Sequence, residues 1–376
     1  MEGVVMQDAH LWRGRRVLLT GHTGFKGAWL LVWLKQAGAD VWGLALPPEP
    51  EPNLFRQLAK ALPPDDQHGW HHHKGDITDP AELKAVVQCC QPEVVLHLAA
   101  QPLVRRSYSD PLGTWATNVQ GSLNLLEALK PLQHPCAVVM VTTDKVYENQ
   151  EWPYGYREPD RLGGHDPYSA SKAAAEIAIS SWRASFCGTA PHQTPHLRIA
   201  TARAGNVIGG GDWAVDRILP DAMRALAQGE PIAVRNPAAT RPWQHVLEPL
   251  GGYLRLAEAL LTDPAPPCEA FNFGPQLESN QPVRELLDTI LSHWPGQWID
   301  QSDPSAPHEA GLLHLQIDKA HHRLGWQPRW DYATTVERTV SWYRAVHEGA
   351  SALDCCLADL EAYQAASATS SPSFLP

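Results

Sequence analysis

Short apolar runs alternate along the chain with longer stretches whose apolar positions recur three and four apart. Arg15 to Thr20 reads as a strand that runs directly into Gly21-His22-Thr23-Gly24-Phe25-Lys26-Gly27, and Ala28 to Gln36 then has helical spacing. Asp40 to Leu46 predicts a second strand, a third ends near Lys74-Gly75-Asp76-Ile77, and Pro92 to Leu98 predicts a fourth. Ala81 to Cys89 is helical in pattern, Asn118 to Leu129 predicts a long amphipathic helix, Cys136 to Thr143 a strand, Tyr168 to Phe186 a helix and Leu197 to Ala204 a further strand. Strands separated by helices predict an α/β fold, a Rossmann-like doubly wound parallel sheet. After Gly205 the alternation fades into helices, loops and connections such as Arg235-Asn236-Pro237 and Pro264-Ala265-Pro266-Pro267, which predicts a smaller C-terminal substrate-binding lobe. The expected division is an N-terminal extension over 1–13, a doubly wound Rossmann-like domain over 14–205, a smaller lobe over 206–349 whose chain crosses back to the first domain, and a tail over 350–376. Met1 to Trp12 and the Ala/Ser-rich end read as peripheral, the last dozen residues as disordered.

In such a sheet, ligands bind beyond the carboxyl ends of the strands, where Gly21, Asp76, Ala99, Thr143 and Gly205 fall. Gly21, Gly24 and Gly27 permit a tight turn, a close approach of backbone to a pyrophosphate and close helix packing, while the helix start supplies N–H donors. A glycine cluster alone is weak evidence; one placed between a strand and a helix in an alternating chain is strong. His22 and Lys26 are bulky for a phosphate cradle and either contact the phosphate or crowd it. The acid expected some twenty residues on is replaced by Leu46-Pro47-Pro48, with Glu49 and Glu51 later in a proline-rich loop, and no arginine is expected there to meet a 2′-phosphate.

Tyr168 and Lys172 lie one helical turn apart on one face. An adjacent ammonium favours the phenolate of a tyrosine that titrates near ~10 when unperturbed, which makes Tyr168 a candidate general base. The pair alone is an ordinary surface pattern; behind a dinucleotide turn it points to alcohol oxidation. Asp144 and Lys145 could cap a turn in solvent, but they follow Thr143 at the end of a central strand, where an acid and a base would serve an elimination.

Five phrases carry a resemblance: Gly21 to Leu30, His97 to Arg105, Thr142 to Tyr147, Arg203 to Trp213, and Thr240 to Val246. Spread between about Arg15 and Tyr343, they resemble the extended short-chain dehydrogenase/reductases and, within these, the nucleotide-sugar 4,6-dehydratases, several being particular to the branch acting on CDP-glucose. The resemblance implies NAD as cofactor, with Gly21, His22, Thr23, Gly24, Phe25, Lys26 and Gly27 at the pyrophosphate, Asp76 and Ile77 at the adenine, Leu98, Ala99 and Ala100 beside the nicotinamide, and Tyr168 and Lys172 at its ribose. It implies Thr143, Asp144, Lys145, Tyr168 and Lys172 as catalytic residues, with Lys145 standing where dTDP-glucose dehydratases carry glutamate as the C5 base. Asn206, Arg217 and Arg241 would meet the nucleotide diphosphate, and Gln101 and Arg105 the hexose, although each arginine equally fits a structural ion pair and both residues after the fourth strand equally fit loop capping. A homodimer or dimer of dimers is implied, with Asn118 to Leu129 and Tyr168 to Phe186 pairing across a two-fold axis.

The formal charge of −11, with no basic run, argues against nucleic-acid binding, so an anionic sugar nucleotide must be captured by local cations. Seven cysteines without a C-x-x-C spacing or a secretion signal read as reduced thiols in a cytoplasmic protein. His71-His72-His73 leads into a strand without further spaced ligands, so a solvated edge is expected and no metal site. No twenty-residue apolar stretch suggests a membrane span. Of the fifteen tryptophans, Trp243 beside Arg241 is the one expected to wall the substrate site.

Overall fold

The structure, a computed structural model, describes residues 9–49, 52–188, 193–302 and 312–369. In chain order, α1 (Ala9–Trp12) leads to β1 (Arg16–Thr20), and the glycine turn opens α2 (Phe25–Gln36). There follow β2 (Asp40–Ala45), α3 (Leu54–Ala61), β3 (Trp70–Lys74), α4 (Pro80–Cys90) and β4 (Val94–His97). Then come α5 (Val104–Ser109), α6 (Pro111–Trp115), α7 (Gly121–Leu129), β5 (Cys136–Val141), α8 (Pro167–Phe186) and β6 (Leu197–Ala204). The second half gives α9 (Ile218–Gln228), β7 (Ile232–Val234), β8 (Thr240–Pro242), α10 (Leu247–Thr262), β9 (Ala270–Phe273), β10 (Asn280–Pro282), α11 (Val283–His293) and β11 (Trp298–Asp300). The described chain closes with α12 (Asp318–Leu324), α13 (Tyr332–His347) and α14 (Ala352–Thr369).

Seven strands form one parallel sheet in the order β3-β2-β1-β4-β5-β6-β9. The chain winds outward from β1 to β3, then returns to start the other half at β4. That reversal opens a crevice at the carboxyl ends of β1 and β4, where the sheet's ligand site belongs. β5 is buried at every position because helices cover both faces, so its sequence CAVVMV shows no alternation. α2 is buried from Gly27 to Leu34, which explains an apolar helix without a polar stripe. Asp79 and Asp166 cap α4 and α8 by accepting from main-chain N–H groups, each with a proline at the next position, so both helices start where the sequence places a cap. β9 lies beside β6 in the main sheet, while β7 with β11 and β8 with β10 form two small sheets outside it.

Several expectations need correction. The helix over Asn118 to Leu129 begins as a π turn over Ala116–Gln120. There the Asn118 amide accepts from Gln101 N at 2.9 Å and donates to Gln101 O at 3.1 Å and Ser171 Oγ at 2.9 Å. The histidine run does lie on the sheet's edge strand, but half-buried instead of solvated: it forms the middle of β3, with Trp42 stacked on His71 at 3.9 Å and on His73 at 5.4 Å. Among the described residues no group of three or more His, Cys, Asp or Glu could hold a metal ion, and no helix is long and apolar enough to cross a membrane. Among the described residues neither end is peripheral. Trp12 is fully buried and donates from Nε1 to Glu258 at 2.9 Å, and α14 buries Cys356, Leu360 and Tyr363 against the body of the protein. Of the segments expected to be loose, residues 1–8 and 370–376 lie outside the described residues.

Candidate active site

Gly21 has φ of 77°, and a Cβ there would stand 2.7 Å from Ala99 N; a Cβ on Gly27 would stand 2.2 Å from Gly21 O. Only glycine therefore lets the turn lie against the exit of β4. Gly24 begins α2 without a side-chain cap, which leaves the first N–H groups of the helix directed outward for an anion. This backbone fits a dinucleotide pyrophosphate.

The two bulky residues of the turn part company. His22 points away from the phosphate side into the space left by Gly43, where an added Cβ would stand 2.6 Å from its Nδ1. Fully buried beside Phe55 and Trp70, it meets His72 at 2.7 Å between Nε2 and Nδ1. Burial pushes its pKa down to about 3, so the ring is neutral at working pH. Lys26, half-buried, turns toward Asp144 and Lys172 instead. Burial first, then repulsion from Arg217, lowers its ammonium to about 8 against the pull of Asp144. Thr23 Oγ1 donates to Leu46 O at 3.0 Å, and the Phe25 ring lies next to Gly209.

Beyond β3, Asp76 accepts from Thr78 N at 2.9 Å and Ile77 packs under Gly121. After β4, Leu98, Ala99 and Ala100 line the crevice, and Ala99 N donates to Thr20 Oγ1 at 3.2 Å. At the end of β2, Arg56 from α3 reaches the loop but donates to the carbonyls of Glu49 at 3.0 Å and Pro48 at 3.2 Å.

Thr143 caps the short 3-10 turn Asp144–Val146 at the end of β5, which places a hydroxyl, a carboxylate and an ammonium in sequence at the crevice. The buried Tyr168 phenol faces the Thr143 hydroxyl, which donates to Asp144 Oδ1 at 2.9 Å. Asp144, 3 % exposed, has Lys145 Nζ at 3.5 Å, and the same ammonium donates to Asn206 Oδ1 at 3.4 Å. Lys172, buried, donates to Val141 O at 3.2 Å.

The expected depression of the Tyr168 pKa by Lys172 is not what the structure gives. Burial drives the phenol up to about 12, with Asp144 adding to the rise and Thr143 and Arg217 opposing it. Lys172 faces a main-chain carbonyl, and burial lowers its own pKa to about 8 against the support of Glu176.

Glu176 was not foreseen, although Tyr168, Lys172 and Glu176 follow one another at four-residue spacing on the inner face of α8. It accepts from Thr142 at 2.5 Å, Thr201 at 2.8 Å and Arg203 at 2.9 Å. Burial opposes its charge, but Arg203 and the two hydroxyls hold the carboxyl below its ordinary pKa, fixing a charged anchor beneath Lys172.

Of the expected substrate groups, Arg217 joins the cluster: its ion pair with Asp212 at 2.9 Å raises its pKa, and its charge reaches Tyr168 and Lys26. Gln101 is committed to its own loop, donating to Leu103 O at 3.1 Å and Thr114 at 2.9 Å and accepting from Leu103 N at 2.7 Å. Arg105 pairs with Asp216, and Arg241 on β8 donates to Thr240 O at 2.9 Å. Trp243 is no substrate wall. It is 4 % exposed in the core and donates to Gln281 O at 2.9 Å.

The Asp144 carboxylate rests on Gly205, where an added Cβ would stand 2.8 Å from Oδ2. Gly205→Ala is therefore expected to displace the carboxylate and lower turnover by about 10²-fold, while the urea unfolding midpoint stays at the parent value. Parental turnover in this variant would show that the position of Asp144 does not matter.

The NAD dependent epimerase/dehydratase family matches residues 17–274. The chain is 43% identical over 363 residues to the CDP-glucose 4,6-dehydratase of Salmonella typhimurium, covering 96% of this chain and 99% of that protein. It is 30% identical over 285 residues to the dTDP-glucose 4,6-dehydratase of Streptomyces antibioticus, covering 72% and 75% of the two chains. Among solved structures, the dTDP-glucose 4,6-dehydratase DesIV from Streptomyces venezuelae, with NAD and TYD bound, is similar with a TM-score of 0.72 at 24% identity over 90% of this chain and 99% of that one. A crevice floored by a glycine turn, a tyrosine and lysine on one helix face, and this match along two thirds of the sequence place the chain in the NAD dependent epimerase/dehydratase family.

Proposed function

We propose that the protein is a CDP-glucose 4,6-dehydratase, converting CDP-D-glucose to CDP-4-dehydro-6-deoxy-D-glucose and water. The observation that carries this reading is the series Tyr168, Thr143, Asp144, with Lys145 beside it, which sets an acid–base pair next to the tyrosine that handles the proton of the hydroxyl being oxidised. Similarity to the Salmonella enzyme along nearly the whole chain supports it. The turn with Gly21, Gly24 and Gly27, together with Lys172, would hold NAD, which would supply the oxidation at C4 and the reduction at C6.

The residues divide the proton work. Because Tyr168 is a neutral phenol at working pH, it receives the C4 hydroxyl proton as its own passes to the Thr143 oxygen and the threonine proton passes to Asp144. Asp144 is then the protonated acid that the departing C6 hydroxyl needs. Lys145 is placed to take the C5 proton acidified by the C4 ketone and to return it to C5 at the end, so the sugar loses water and every protein group is restored. Asn206 and Arg217 hold the substrate's anionic end near Lys26, whose charge offsets the −11 balance of the chain locally.

A cytoplasmic homodimer paired through α7 and α8 belongs to the same proposal. Unpaired cysteines support the compartment, and Ile177, 59 % exposed on α8, supports the interface. The activity is tested by incubating the protein with CDP-glucose and NAD and following the 4-keto product by its absorbance in strong alkali, with dTDP- and GDP-glucose alongside. Product from CDP-glucose without net NADH is expected; no product from any of the sugars would overturn the reading.

A further inference from the structure

The loop between β6 and α9 carries a feature that the chemistry at Tyr168 does not use. Asp216 has φ of 63°, a left-handed backbone outside glycine, and its Oδ1 alone takes two guanidinium groups. Arg105 of α5, from the nucleotide-binding half, approaches Oδ1 at 2.9 Å, and Arg235, directly after β7 in the smaller lobe, approaches it at 3.1 Å. Oδ2 takes no bond from any described residue. All three side chains are well exposed, with relative exposures of 64, 44 and 53 % for Arg105, Asp216 and Arg235, so the contribution of the pairs to stability is small and does not explain the strained backbone.

Their place explains it better. Arg105 follows β4 and Asp216 follows β6, so both stand at the carboxyl edge of the sheet that carries the catalytic residues. The next residue, Arg217, turns inward toward Tyr168 and Lys26. Asp216 is thus one residue outward from the reacting groups, between the lobes, where the part of a sugar nucleotide remote from its hexose must lie. Val215 beside it is 65 % exposed and offers an apolar surface to a ring.

We propose that Asp216 and Arg235 read the nucleobase and select cytosine, an assignment that rests on the sugar-nucleotide reading above. Cytosine presents an exocyclic amine next to two acceptors, N3 and O2. The open Oδ2 of Asp216 accepts from the amine, and the guanidinium of Arg235 donates to the neighbouring acceptors. Uracil and thymine place a carbonyl oxygen where the amine would be, so the carboxylate faces an acceptor with no proton between them and rejects those bases. Arg105, on the shared Oδ1, fixes the carboxylate so that only Oδ2 faces the base.

The test compares Asp216→Asn with the parent, both as NAD-loaded enzyme, by calorimetric titration with CDP and with UDP. Asparagine accepts the left-handed backbone at least as well as aspartate and offers a carboxamide N–H to a carbonyl, so folding is retained while the reading is altered. The parent is expected to prefer CDP, and the substitution to shrink that preference by about 10- to 100-fold. An unchanged preference, a parent that binds both nucleotides equally, or an equal loss for both, which would mark Asp216 as a clamp between lobes blind to the base, each overturns the proposal. Because the titration needs no turnover, a failed assay for the 4-keto product would fault the dehydratase reading separately.

Discussion

Asp144→Asn is expected to lower formation of the 4-keto-6-deoxy product from CDP-glucose by about 10²- to 10⁴-fold. The carboxamide keeps the shape and still accepts the Thr143 hydrogen bond at its oxygen, so the packing against Gly205 is preserved. What it loses is the ability to hold a proton at that oxygen. Two steps depend on it: the C4 hydroxyl proton has no terminus beyond Thr143, and the C6 hydroxyl has no acid. The variant should therefore form product, and show a single-turnover rise at 340 nm, only at that reduced rate. Accumulating NADH without product would confine Asp144 to the leaving group and break the series through Thr143, and turnover within about threefold of the parent would remove Asp144 from the chemistry altogether.

This geometry was legible from the sequence wherever neighbours along the chain fix it. The glycine turn, the Thr143-Asp144-Lys145 run at a strand end and the four-residue spacing of Tyr168 and Lys172 are local patterns, and the structure gathers those residues into one crevice. Residues whose direction depends on a distant strand were not. His22 turns under the turn because Gly43 on β2 leaves room and His72 on β3 offers a partner, neither of which its own neighbours reveal. Gln101 is expected at the site because it follows the fourth strand and Trp243 because it stands beside Arg241, yet both satisfy polar groups within the protein. The Tyr168 pKa went the wrong way because spacing on a helix says nothing of burial, and burial dominates it. The C-terminal end was misjudged for a different reason: its Ala/Ser composition hid a 356, 360, 363 spacing of Cys, Leu and Tyr that is a buried helical stripe.

That stripe carries the second large effect. Tyr363 packs its ring 5.7 Å from Trp33 of α2 and 5.3 Å from Trp330, and its hydroxyl donates to Glu248 Oε2 at 2.8 Å. Tyr363→Ala is expected to cost about 3–5 kcal/mol in urea unfolding followed by tryptophan fluorescence, because a buried aromatic leaves a cavity. Tyr363→Phe isolates the hydroxyl, and its cost should depend on pH. Glu248 is fully buried, and burial raises its pKa from 4.5 to about 7 although Trp330 N–H, the Tyr363 hydroxyl and Arg329 N–H favour the carboxylate. With the folded pKa above the unfolded one, the stability Glu248 contributes is complete below about 4.5 and is lost as pH rises through 7. Above 7 the buried carboxylate is charged, and the Tyr363 hydroxyl is one of the few donors that offset its desolvation. The Phe variant should therefore lose about 1.5–3 kcal/mol at pH 8, where the hydrogen bond is to a charge, and about 0.5–1.5 kcal/mol at pH 5.5, where it is to a neutral acid. A deficit that is the same at both pH values would mean that Glu248 does not change its charge between them, and the role of α14 would reduce to the packing of its apolar stripe.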